Sequence, residues 1–182
     1  GTPLDISDDF GPSPSPEVAL PFEFEFYGEA KTAVRVDNNG FLHFDSPSDN
    51  YFENAEIPTA GAPNGVLAAF WDDLDPTAGT IYTYHDEGAG QFIVQYDEVT
   101  AFFGDVPMTF PVVLSQDGTI RYNLPDIDAN DNASPTRGSE IPPAAAAPQV
   151  AFNAPDPLAR LSAATSATPY LPPERRAASR TP

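Results

Sequence analysis

The chain is expected to be all-β: an antiparallel β-sandwich of jelly-roll-like or Ig-like type, followed by an extended Pro/Ala-rich C-terminal arm. Three observations predict this. Apolar residues alternate with period two in several short runs. Turn clusters of Gly, Asn, Asp and Pro separate those runs at regular intervals. No 12-residue window carries a persuasive amphipathic helical pattern.

Taken in order, residues 1–19 form a polar, Pro-interrupted lead-in with a short edge strand expected around Leu4–Ser7. The sandwich is expected over 20–153 and the arm over 154–182. In Leu20–Gly28, Phe22, Phe24 and Phe26 share one face and Glu23 and Glu25 the other, the mark of a half-buried strand. Thr32–Val36 alternates again. Asp37-Asn38-Asn39-Gly40 is then a hairpin signal, and the Asn-Gly pair suits a type I′ turn, which needs positive φ twice. Phe41–Phe44 returns, with His43 expected on the sheet surface. Residues 45–65 are a long polar connection.

The chain is organised around Val66–Pro76. Six consecutive apolar residues, Val66 to the lone tryptophan Trp71, suit a strand buried on both faces. They run straight into Asp72, Asp73 and Asp75, and Pro76 ends the ladder because it has no N–H to give. Thr80–Tyr84, Gln91–Val99, Met108–Leu114 and Thr119–Leu124 are further strands, with turns at Glu87–Gly90 and Gln116–Gly118. Gln149–Asn153 is the last.

Composition narrows the function. A net charge of −19 lacks the basic footprint of nucleic-acid binding and repels anionic membranes. No apolar run approaches the roughly 20 residues of a membrane helix. There is no cysteine, hence no disulfide framework, thiolate metal site or Cys nucleophile. The chain opens Gly-Thr-Pro, the expected start of a processed product or an excised segment. Charge is uneven: residues 1–153 carry 25 acids against four bases, near −21. Residues 154–182 carry Arg160, Arg175, Arg176 and Arg180 against Asp156 and Glu174, near +2.

Leu20–Gly28, Val34–Phe44, Ala68–Asp75 and Thr80–Tyr84 together resemble the nidogen-like (NIDO) extracellular domain. They are also similar to β-sandwich modules appended to secreted bacterial proteases and surface proteins. Phe92–Val99 and Phe110–Ile120 extend the likeness to the bacterial group, over roughly residues 18–125 in the same order. The resemblance implies a non-catalytic module for adhesion or assembly, at the cell surface or outside the cell. It brings no catalytic residues, and the chain departs from the pattern after Leu124.

Four groups of candidate site residues follow. Asp72, Asp73 and Asp75 offer oxygen ligands for a structural Ca²⁺, or else are turn acids accepting backbone N–H groups. Asp126, Asp128 and Asn130 begin like an EF-hand loop, but Asp131 stands where Gly is required and Arg137 where Glu is required. Tyr51, Phe52, Phe102 and Phe103 are loop aromatics, either ligand anchors or caps over the sandwich edge. Val150, Phe152, Arg160, Leu161, Arg175, Arg176 and Arg180 are expected to grip a partner. Too poor in large apolar residues to order itself, the arm is expected to lie on its own body or on a neighbouring copy. The chain is thus read as a secreted structural subunit of a filament, sheath or surface layer, a homo-oligomer or polymer joined through arms. The alternative is an adhesion or ligand-binding module of a larger secreted protein. An enzyme is not expected: His43 and His85 are the only histidines, and no Gly-x-Ser-x-Gly occurs.

Overall fold

The structure, a computed structural model, describes residues 1–6, 15–47, 49, 51–122, 135–139 and 149–151, the last three by backbone alone. The strands are β1 (Thr2–Pro3), β2 (Glu17–Phe26), β3 (Glu29–Val36), β4 (Phe41–His43), β5 (Val66–Trp71) and β6 (Leu74–Asp75). After a 3-10 turn at Pro76–Ala78 come β7 (Thr80–Asp86), β8 (Gln91–Ala101), β9 (Met108–Ser115), β10 (Ile120–Tyr122), β11 (Thr136–Ser139) and β12 (Gln149–Ala151). Among the described residues there is no α-helix, and no helix long and apolar enough to cross a membrane.

Two antiparallel sheets form a sandwich. One runs β1-β7-β8-β9-β10, with β6 paired to the far end of β8; the other runs β12-β11-β5-β4-β3-β2. Each is mostly a meander of consecutive strands. Two long-range pairings close them: β1 on β7, and β11 on β5. β11 had no counterpart in the sequence reading. The main core lies between the sheets and includes Phe24, Phe26, Val36, Leu42, Leu67, Phe70, Val94, Tyr96, Phe110 and Val112.

A bulge decides how β5 is used. Between the pairs Ala68↔Gly138 and Trp71↔Thr136, β5 spends three residue steps where β11 spends two. The extra residue reverses the alternation. Leu67, Ala69 and Phe70 therefore join the main core, whereas Val66, Ala68 and Trp71 face outward into a second core with Phe41 and Ile57. Every residue of β5 is buried, as six apolar residues in succession require.

The connection over 45–65 covers that second core rather than lying over solvent. Trp71 Nε1 donates to the Tyr51 carbonyl at 2.7 Å, and Asn54 Nδ2 donates to Thr136 Oγ1 at 3.3 Å. Thr136 Oγ1 in turn donates to the Ala55 carbonyl at 2.8 Å. His43 lies beneath this cover with 0% exposure, so its expected place on the sheet surface is wrong. A long connection that folds back over a sheet face turns an outward position into an interior one.

The hairpin chemistry also differs from expectation. Gly40 has φ 80°, but Asn39 has no positive φ, so the Asn38-Asn39-Gly40 connection is not type I′. With Asp37 N bonded to the Phe41 carbonyl at 3.0 Å, it is a three-residue connection ending in a left-handed glycine. The tight two-residue turn with positive φ at both positions is instead Tyr27-Gly28, between β2 and β3.

Candidate binding surface

Asp37, Asn38 and Asn39, which composition marks as a solvated turn, are fully buried. They sit against the acidic exit of β5. Phe70 N donates to the Gly40 carbonyl at 3.0 Å and Asp72 N to the Asn39 carbonyl at 3.3 Å. Leu74 N donates to Asn39 Oδ1 at 3.0 Å. From the opposite sheet, the Tyr96 hydroxyl reaches the carbonyls of Asp37 at 2.7 Å and Phe41 at 3.0 Å. Burial raises the Tyr96 pKa well above its ordinary value, with Asp37 adding to the shift, so the hydroxyl keeps its proton. A Cβ on Gly40 would collide with the Phe70 carbonyl, so only glycine fits.

The acids beyond Trp71 are engaged in this turn. Asp72 Oδ1 accepts from Asp73 N at 3.0 Å. Asp75 Oδ1 accepts from Thr77 N at 2.7 Å and caps the 3-10 turn. Among the described residues, no group of three or more His, Cys, Asp or Glu could hold a metal. Asp126, Asp128 and Asn130 lie outside the described residues.

This segment carries the β8–β9 loop. β6 pairs Leu74 with Ala101 and Asp75 with Thr100, and the Asp73 carbonyl accepts from Phe102 N at 2.9 Å. Gly104 N closes the turn on the Ala101 carbonyl at 2.8 Å. On this held base the tip is apolar and open: Phe102 is 36% exposed, Phe103 85% and Val106 45%. The two phenyl rings meet edge to face at 4.7 Å. Two of the candidate groups, the acids after Trp71 and the Phe pair, thus meet at one place. Val106 was not singled out from sequence, although its position before Pro107 in a loop with two Phe residues was a usable signal.

The other loop aromatics lie elsewhere. Tyr51 is half-buried, its ring 5.7 Å from His43 and 6.3 Å from Phe41, and Phe52 beside it is 41% exposed. Of the partner-binding candidates, Val150 falls in β12, whose side chains are not described. Phe152, Arg160, Leu161, Arg175, Arg176 and Arg180 lie outside the described residues.

A family model described as NIDO related matches residues 1–170. The chain belongs to that family. No curated protein and no solved structure gives a significant match. The match supports the nidogen-like side of the resemblance and carries nothing about modules appended to proteases. NIDO-related domains are a non-enzymatic, extracellular domain type. The coarse reading for this member is accordingly an extracellular β-sandwich module.

Proposed function

We propose that this NIDO-related chain is a non-catalytic extracellular binding or adhesion module whose contact element is the loop 101–107. The supporting observation is Phe103, 85% exposed at the tip of a loop whose base is hydrogen-bonded to the acidic segment. An aromatic held in water contributes nothing to its own fold but brings a large apolar area to a partner. The body at −19 directs the choice of partner toward basic or neutral surfaces. The test compares wild type with Phe103→Ser as bait for extracellular and cell-surface extracts. Retention of a partner by wild type and its loss from the variant, at unchanged melting temperature, is the expected result. Equal retention by both removes the loop from the reading.

A second reading is favoured by the charge split. A body near −21 beside an arm near +2 suits head-to-tail contact between copies, as in a filament, sheath or surface layer. Under that reading, the full chain at high concentration forms oligomers or polymers by light scattering. A persistent monomer removes it.

A further inference from the structure

The outward face of the β7-β8-β9 sheet is buried, and nothing described lies on it. Phe92, Val94 and Tyr96 of β8, and Phe110, Val112 and Leu114 of β9, point into the main core. Their neighbours therefore point the other way. Register confirms the rows: Tyr84, Ile93, Val113 and Arg121 stand side by side across four strands, as do Tyr82, Gln95 and Pro111 across three. A face of this kind would ordinarily be open to water. Here Ile93 is 1% exposed, Val113 6% and Gln95 7%, yet neither Ile93 nor Val113 belongs to a described core cluster. Side chains on one face stand beside one another and cannot roof one another over. Gln95 adds a second observation. Its Nε2 donates to the Tyr96 carbonyl at 3.0 Å, whereas its Oε1 is buried without a hydrogen-bond partner. A donor from the covering segment is owed to it.

We propose that this face is the seat of the chain's own C-terminal arm, residues 152–182. The exposures are those of a single chain, so the cover belongs to the same molecule. The other undescribed stretches are short and tied at both ends. Residues 140–148 join two neighbouring strands of the opposite sheet, and residues 7–14 join Ile6 on the core to buried Ser15. The arm is fixed at one end only, and its 31 residues reach about 100 Å when extended. It brings Phe152, Leu158, Leu161, Tyr170 and Leu171 for the apolar row, and four arginines as donors toward Gln95 and the acidic body. This inference is independent of the loop 101–107.

The cysteine-free chain makes the test simple. Val113→Cys and Thr109→Cys place single thiols on the same face of β9, the first at a covered position and the second at an exposed one. In the full chain, maleimide should label the thiol at 113 at least about tenfold more slowly than that at 109. Adding Leu158→Asp and Leu161→Asp, or ending the chain at residue 151, should bring the two rates together. Fluorescence of buried Trp71 checks the fold, and if the shortened chain loses that signal the full-length variant decides. Equal rates in the intact chain overturn the proposal. So does protection that survives both arm variants, and so does protection that grows with concentration, which would assign the cover to a neighbour's arm.

Discussion

Replacing His43 with leucine should flatten the acid side of the stability curve. His43 is fully buried beneath the 45–65 connection, and neither ring nitrogen has a hydrogen-bond partner. Its neighbours are the rings of Phe41 and Tyr51, with Arg35 opposite it on β3. Burial, and to a lesser degree the Arg35 charge, lowers its pKa from 6.5 to about 3. The sign follows from proton counting. Between those values the unfolded chain binds a proton that the folded chain refuses, so stability is full above pH 6.5 and falls as pH drops toward 3. At pH 5 the loss from this group is about 2 kcal/mol. Leucine has no proton to take up, and it removes two uncompensated polar atoms at similar volume. Near neutral pH the variant should therefore stay within about 1 kcal/mol of wild type. Urea unfolding of both proteins from pH 8 to pH 4.5 reads the difference, in which unchanged groups cancel. The gap should move by about 2 kcal/mol in the variant's favour between pH 7.5 and pH 5. Parallel curves would mean that His43 titrates alike folded and unfolded, and the reasoning would fail.

Gly40→Ala combines a left-handed backbone with a collision against the Phe70 carbonyl. It should cost more than about 3 kcal/mol in denaturant unfolding, and a cost below about 1 would contradict the close approach. Tyr96→Phe removes one hydroxyl serving two buried carbonyls and should cost about 1–3 kcal/mol with the core packing intact, read by thermal melting. Chelator should leave the melting temperature unchanged, because Asp72 and Asp75 already accept backbone N–H groups. A fall of several degrees would place a structural Ca²⁺ at this turn.

The strands that alternate visibly, and the wholly apolar β5, were legible in sequence because burial writes a period there. β11 was not. Thr-Arg-Gly-Ser carries no apolar signal, and Arg137 is 2% exposed with its guanidinium 5.2 Å from the Phe70 ring. Its place in the sheet is settled by pairing with a strand some 65 residues earlier, which no local window contains. Asp37-Asn38-Asn39 misled for the opposite reason: polar turn residues read as solvated, yet these spend their polarity on the backbone of another loop. The Phe102-Phe103 pair was legible as apolar residues without a strand around them. Sequence left open whether they cap or protrude, since that depends on the base formed by Asp73 and Ala101.

The two late pairings constrain how the protein comes into being. The sheet bearing β5 is finished only when Thr136–Ser139 arrives, and β7 recovers its edge partner from the first six residues. Such distant closure slows folding, since loop entropy is lost before the contacts repay it. A nascent chain emerging from its N-terminus holds half a sandwich with one greasy side bare until well past its midpoint. Passage through a narrow conduit in an unravelled state, followed by folding all at once on the far side, suits this topology better than stepwise assembly during synthesis.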